Sequence, residues 1–404
     1  MNLISLAEQL SGNEEAAVRF DASRCLHHGD KLSGCDACYE ICPEEAIVPG
    51  RPPTVEVEAC RFCRACLPVC PTGAFAMEDE LPDLLHCAVR LEQSAREQDG
   101  FEIICEHHPH PQQGPAAAAI RVRGCLAGLG AAAYVQLSTL SAERITIRTD
   151  ACAECPWGDL AGKIEQQLAE VTGVLQPWSQ RPTLHRYDAI DEDKQQRRPV
   201  YPAHSPPVSR RALFRFGAER QPEIEAVADG HHPFRERLRL LGALPALPAY
   251  DVVVAGETGM PRSRFAALTV SEACSACGTC ARACPSGALQ LHLDEGAKRF
   301  TLDFSLQACL ACGVCVDLCP EEAVELQPGP TVAEFMSAPA ATTVREGALQ
   351  RCSRCSVWFA SAKADARLCP VCDFRRRNPF GSRMPPHLAR RDSEQKRTLS
   401  GERQ

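Results

Sequence analysis

Short β-branched runs punctuate the first half of the chain. Phe101 to Ile104, Ile120 to Val122 and Ile145 to Ile147 predict strands, and Cys125 to Leu140 and Asp159 to Val171 predict the helices between and after them. That order is the logic of a βαβ unit with a parallel sheet. Elsewhere the period changes: Thr54-Val55-Glu56-Val57 and Phe300-Thr301-Leu302-Asp303-Phe304 alternate with period two, each just ahead of a cysteine-rich loop. Between Gln176 and Pro248 the composition shifts to Pro, Arg, Gln and Asp with few periodic apolar runs, which reads as a connector. The stretch after Asp392 reads as disordered. No run approaches the roughly 18 to 20 apolar residues of a membrane helix. Met1 to Arg24 lacks the basic start and hydrophobic middle of a secretion signal, so the chain is expected in the cytoplasm. Its 404 residues leave room for two to three domains of about 150 residues.

Composition narrows the chemistry. The chain has 25 cysteines but only 5% aromatic residues, and in a reducing compartment thiols bind metal rather than build a disulfide scaffold. A net charge of −8 argues against broad nucleic-acid binding, which needs basic surface to neutralise phosphates.

Cysteine spacing then becomes decisive. Cys60, Cys63, Cys66 and Cys70 stand at C-x2-C-x2-C-x3-C before Pro71; Cys274, Cys277, Cys280 and Cys284 repeat this before Pro285, and Cys309, Cys312, Cys315 and Cys319 before Pro320. A stretched copy keeps Cys35, Cys38, Cys42 and Pro43, with Cys25 upstream as the first ligand. His27, His28 or a three-iron corner are the alternatives to Cys25 there. The flanks PEEAI, PTGAF, PSGAL and PEEAV form an internal repeat, each read as one helical turn with proline first, followed by a strand.

This organisation resembles bacterial-type dicluster [4Fe-4S] ferredoxins, twice over. The resemblance implies that the two loops of each domain exchange their last cysteine. The four clusters would then be held by Cys25, Cys35, Cys38 and Cys70; by Cys60, Cys63, Cys66 and Cys42; by Cys274, Cys277, Cys280 and Cys319; and by Cys309, Cys312, Cys315 and Cys284. Soft thiolate sulfur suits iron, and a cube delocalises its electrons with little geometric change. Segments this short and poor in large apolar residues need the cluster to fold.

Between these halves, Cys105, Cys125 and the Cys152/Cys155 pair each follow a predicted strand, the edge at which open parallel sheets build their sites. The layout resembles the small iron–sulfur subunit of some hydrogenases, which implies a fifth cluster, [2Fe-2S] or [4Fe-4S]. A redox-active C-x2-C disulfide and plain buried thiols are the competing readings. Cys87 reads as structural, and His107, His108 and His110 as a solvated loop. Near the C-terminus, Cys352-x2-Cys355 and Cys369-x2-Cys372 have the spacing of a zinc ribbon with two knuckles; a rubredoxin-type iron would use the same four thiolates. Arg375 to Arg377 follow the second knuckle and read as a docking flank rather than a nucleic-acid contact. Val208-Ser209-Arg210-Arg211-Ala212-Leu213-Phe214-Arg215 resembles a twin-arginine segment at the start of accessory ferredoxins that serve periplasmic molybdenum reductases. With no export region behind it, it reads as a basic docking helix.

The expected architecture is α+β: two ferredoxin-like 2×[4Fe-4S] domains (18–80 and 249–328) flank a small α/β domain (83–178). An irregular linker (179–248), a zinc-ribbon-like module (349–386) and a disordered tail (387–404) complete it. With no nucleotide fingerprint, P-loop or nucleophile–base constellation in view, the expected role is to relay single electrons through four [4Fe-4S] clusters to or from a partner oxidoreductase of molybdenum-reductase, dehydrogenase or hydrogenase type. A thiol or sulfur redox enzyme acting at Cys152/Cys155 and a metalloenzyme assembly factor are the rival readings.

Overall fold

The computed structural model describes residues 18–29, 33–94, 100–140, 144–178, 183–188, 196–207, 232–247, 250–261, 264–363, 365–381, 384–386 and 389–390. The fold is mixed α/β, and its contacts divide it into two units, Met1–Cys25 with Asp36–Thr258 and Leu26–Cys35 with Gly259–Gln404. Among the described residues no helix is long and apolar enough to cross a membrane.

The first unit is built around a five-stranded parallel sheet: β1 (Phe101–Ile104), β2 (Ala119–Arg121), β3 (Arg144–Arg148), β4 (Thr183–Tyr187) and β5 (Val200–Pro202), in the order β5-β2-β1-β3-β4. The inner strands are buried on both faces, with Ile103, Ile120, Ile145 and Ile147 all at 0% exposure, which explains their unbroken apolar runs. Helix α1 (Gly130–Leu137) connects β2 to β3, and α2 (Ala161–Val174) connects β3 to β4. The small residues of α1 let it pack closely, and all eight are buried.

Thr183–Tyr187 and Val200–Pro202, inside the expected connector, supply β4 and β5, the sheet edges. Polar composition hides such strands because an edge buries less of its surface. After residues 208–231, which lie outside the described residues together with the SRRALFR segment, Arg235–Ala246 forms a helix packed on α1. Its Arg235, Arg237 and Arg239 are buried. Arg235 donates to the carbonyls of Phe75 (2.8 Å) and Leu67 (3.1 Å), and Arg239 pairs with Asp79. These arginines read as linker composition only while their distant partners are out of sight. The expected disordered tail lies mostly outside the described residues.

Around the first cysteine loops, Arg19–Phe20 pairs antiparallel with Phe75–Ala76 and Ile47–Val48 with Thr54–Val55. The second unit repeats the scheme with longer strands, Ala267–Val270 with Val324–Gln327 and Leu289–Asp294 with Arg299–Phe304. Thr342–Ala348 adds a third strand to the latter pair, beyond the expected boundary at 328. The prolines after the fourth cysteines open tight turns rather than helical turns. The short helices lie one step earlier, at Ala37–Glu40, Cys66–Val69, Thr279–Ala283 and Val314–Asp317. In each turn the third residue after the fourth cysteine has positive φ, Glu45, Gly73, Gly287 and Glu322. That left-handed step turns the chain back before a helix can propagate.

Candidate metal centres

In the three regular loops the residues on either side of the second cysteine are both left-handed: Phe62 and Arg64, Ala276 and Gly278, Ala311 and Gly313. Such alternation turns successive N–H groups toward one concavity, a nest suited to anionic sulfur. The stretched loop departs from it, since Asp36 after Cys35 has φ −129°. Backbone donors meet the sulfurs directly. Ala74 N–H donates to Cys70 Sγ and Ala323 N–H to Cys319 Sγ, both at 3.2 Å, and Ala311 N–H to Cys309 Sγ at 3.4 Å.

Three of the fourth cysteines, Cys42, Cys284 and Cys319, stand beside the neighbouring loop. Cys274, Cys277, Cys280 and Cys319 line one cavity with Leu291, Leu302 and Val324. Cys284 lies close enough to Cys312 and Cys315 to raise both thiols, whose main perturbation is burial, which pushes Cys312 up to about 11. In the first unit burial likewise raises Cys60 and pushes Cys63 up to about 11, with Cys42 and Glu44 adding to both. Burial holds Cys66 well above a free thiol. Cys25, Cys38 and Cys70 pack with Phe75, Ile47 and Met77. Cys35 belongs to the segment grouped with the second unit, where its carbonyl meets His27 Nε2 at 2.7 Å. His27 is buried with Nδ1 lacking a hydrogen-bond partner, and His28 is exposed.

The middle cysteines converge at the carboxyl ends of β1, β2 and β3. Connections leave β1 and β3 in opposite directions there, making the crevice in which such sheets bind ligands. Burial raises Cys105, with Cys155 adding to it; it pushes Cys125 up to about 12, with Cys105, Cys152 and Cys63 adding; it pushes Cys152 up to about 11, with Cys105 and Cys155 adding. The N–H groups of His107 and Ala127 point at the sulfurs of Cys105 and Cys125 and oppose the rise. Cys152 and Cys155 also border an open cleft of about 430 Å³ with Thr149, Asp159, Arg186 and Asp188. Cys87 is fully buried on the helix Leu81–Ser94, where burial pushes it up to about 12.

Beneath this edge lies a charge network that the sequence reading missed. Glu102, 0% exposed in β1, accepts from Arg148 Nη1 (2.8 Å) and Ala116 N–H (2.7 Å) and pairs with buried Arg198. Arg148 also clasps Asp150 with two bonds of 2.6 Å, and Asp150 receives His108 Nε2 at 3.5 Å. Burial opposes the Asp150 charge, yet the bonds from Arg148 and His108 hold the carboxyl well below its usual range. His108 is therefore a buried member of this network rather than part of a solvated loop; His107 and His110 are exposed, and the His107 ring meets Trp157 edge-on. A charged Glu102 inside an otherwise apolar parallel strand was the available signal.

At the C-terminus the ligand atoms of Cys352, Cys355, Cys369 and Cys372 all lie within 4.8 Å of one another, the one such group among the described residues. Zinc–sulfur bonds of about 2.3 Å in a tetrahedron set sulfurs about 3.8 Å apart; Cys355 and Cys369 stand at 3.7 Å. The first knuckle is a hairpin, Gln350–Arg351 with Trp358–Phe359, turned by left-handed Ser356. The second opens a helix, Pro370–Arg377, instead of another ribbon turn, because Pro370 at its first position favours helix initiation. Against burial, the N–H groups of Cys369, Cys355 and Arg354 lower Cys352, and burial raises Cys369 and Cys372. Asp373 pairs with Arg376 (3.0 Å) and Arg377, offsetting the basic flank.

Two comparisons bear on these sites. Residues 273–323 match the model of the 4Fe-4S dicluster domain. A ferredoxin of Mycolicibacterium smegmatis is 40% identical over 63 residues, 15% of this chain. The chain spans 55% of that ferredoxin's length. The second unit therefore carries a ferredoxin-type domain.

Proposed function

We propose that the chain is a multicentre iron–sulfur electron carrier, relaying single electrons to or from a partner oxidoreductase, as a subunit or an accessory ferredoxin. The reading assigns [4Fe-4S] clusters to the four quartets inferred from the spacing, a fifth iron–sulfur centre to Cys105, Cys125, Cys152 and Cys155, and zinc to Cys352, Cys355, Cys369 and Cys372. One observation carries it: Cys319 lines a single cavity with Cys274, Cys277 and Cys280, although it stands 39 positions beyond Cys280, the nearest of them. A bound cube supplies one-electron chemistry with little rearrangement. The chain's part is to hold the thiolates, direct backbone N–H groups at their sulfurs, and surround them with apolar side chains such as Leu302 and Val324, all of which set the potential. The spacing of the C-terminal set supports a single ion there. All four ligand atoms of Cys352, Cys355, Cys369 and Cys372 lie within 4.8 Å of one another, the reach of a tetrahedral zinc.

The deciding experiment is metal analysis of anaerobically purified full-length protein. About sixteen irons for four cubes, further iron for the middle set and one zinc are expected; colourless, iron-free protein refutes the carrier. A second reading, thiol or sulfur redox chemistry at Cys152/Cys155, draws on the open cleft bordered by both thiols. Turnover of a disulfide by the reduced chain without a partner favours it, and persistence of that turnover in Cys152→Ser excludes it.

A further inference from the structure

The N-terminal ferredoxin loops and the middle cysteines touch through the ligand residues themselves. The Cys125 N–H donates to the Cys63 carbonyl at 3.2 Å. Every N–H of the run 123–125 is directed to a separate anchor: Arg123 to the Glu80 carboxylate (3.0 Å), Gly124 to Glu106 Oε2 (2.9 Å) and Cys125 to Cys63. Glu80 also receives Arg64 Nη1 at 2.8 Å, so one buried carboxylate ties the residue after Cys63 to the strand end before Cys125. Arg64 is left-handed where the sister loops carry Gly278 and Gly313, a conformation that disfavours any residue with a Cβ. Its buried side chain and the Glu80 pair are what that strain secures.

Gly124 makes the approach possible. Its φ is +68°, and a Cβ there would stand 2.7 Å from the Phe62 carbonyl oxygen and 3.2 Å from that of Cys63. Gly128 is constrained alike, its Cβ falling 2.6 Å from that of Arg64. A second contact joins the same two sets: Trp157, two residues after Cys155, donates its Nε1–H to Glu44, two residues after Cys42, at 2.6 Å. Cys42 and Cys63 belong to one inferred quartet, and both contacts lead from it to the middle cysteines.

We propose that the Gly124–Cys125 turn is an internal electron bridge between the Cys42/Cys60/Cys63/Cys66 set and the Cys105/Cys125/Cys152/Cys155 set, with Gly124 the positioning residue that keeps it closed. This rests on the reading that the middle set holds an iron–sulfur centre. A route through Cys63, its carbonyl, one hydrogen bond and Cys125 is covalent at every step but one, and such a route couples redox centres better than a gap of equal length. In each transfer the centre on one set is oxidised by one electron and that on the other is reduced by one; no bond forms or breaks and no proton moves. The middle set, bordering an open cleft, is then the port at which a partner or small oxidant meets the N-terminal cluster pair.

The test uses the full chain, purified anaerobically and reduced in a flash by photoreduced deazaflavin, a one-electron donor. Freeze-quench electron paramagnetic resonance follows the growth of the middle-centre signal against the ferredoxin signals. Gly124→Ala with wild-type iron content is expected to slow this equilibration several-fold; an unchanged rate overturns the bridge. Should Gly124→Ala fail to load iron, Glu80→Gln, which weakens the clamp while keeping one oxygen acceptor, is expected to slow it in the same direction, and an unchanged rate there overturns the bridge as well. Iron counts on Cys105→Ser and Cys125→Ser separate the two failures. No iron lost in either variant removes the middle centre and the bridge with it, whereas iron lost there with a rate indifferent to Gly124 and Glu80 overturns the bridge alone.

Discussion

Removing the Glu102 carboxylate strips the middle sheet of its most buried acid. The side chains of Glu102 and Arg198 are both 0% exposed, and that of Arg148 is 2% exposed. In Glu102→Ala, Asp150 still holds Arg148 through two bonds, so the loss falls on Arg198, left charged without the acid it pairs with, and on the Ala116 N–H. Leaving one member of a buried ion pair alone costs about 3–5 kcal/mol, and a stranded buried donor adds about 1–3 kcal/mol. Measured against a total stability of roughly 5–15 kcal/mol, the single substitution leaves the sheet marginal or unfolded. The double variant Glu102→Leu/Arg198→Met removes both charges but still strands the Ala116 N–H, so it is expected to recover the ion-pair part of the loss and to stay about 1–3 kcal/mol below wild type. Anaerobic urea unfolding, followed by fluorescence of fully buried Trp178, reads the difference. On the proposed reading of the middle set as an iron–sulfur centre, its iron should fall in the single variant and return in the double. A Glu102→Ala transition within about 1 kcal/mol of wild type would show the network to be solvated rather than buried, and would refute the argument. So would a double variant no better than the single.

Further outcomes follow from the other sites. Cys319→Ser and Cys284→Ser should each damage one cube, and combining Cys319→Ser with Cys274→Ser should lose no more iron than the worse single variant, whereas combining it with Cys309→Ser should lose more; the opposite pattern places Cys319 with its own loop. Arg64→Gly relieves a left-handed side chain worth about 1–2 kcal/mol but leaves buried Glu80 without its nearest cation, at about 3–5 kcal/mol, so the loss wins and the urea midpoint should fall; a rise shows that Glu80 needs only Arg123. Burial raises Cys369 and pushes Cys372 up to about 12, so zinc must displace protons from these thiols. Zinc affinity of the full chain, measured by competition with a chelator, should therefore increase from pH 6 to pH 8, and a flat profile contradicts the assignment. Stripping that zinc should unfold the Gln350–Phe359 hairpin and leave the absorbance of the iron centres intact; bleaching of the visible bands would point to iron in the C-terminal site.

The parts of this protein that local chemistry dictates were legible without a fold. A C-x2-C-x2-C run curls around one centre because its ligands are too near in sequence to go elsewhere, and Phe101 to Ile104 is a strand because a β-branched run has few other places to be buried. The same holds for the two C-x2-C pairs of the C-terminal module. Tertiary structure alone decided the rest. It brought Cys319 to Cys274 and gathered Cys105, Cys125, Cys152 and Cys155 at one sheet edge, because parallel strands place residues far apart in sequence at neighbouring carboxyl ends. Thr183–Tyr187 and Val200–Pro202 became sheet edges, and Arg235 and Arg239 became buried anchors, although their composition reads as linker. The physical reason is the same in each case. The environment of a polar side chain depends on its partner, and Phe75 and Asp79, which receive Arg235 and Arg239, stand 160 residues away. Composition counts charges one by one, whereas burial is granted to them in pairs.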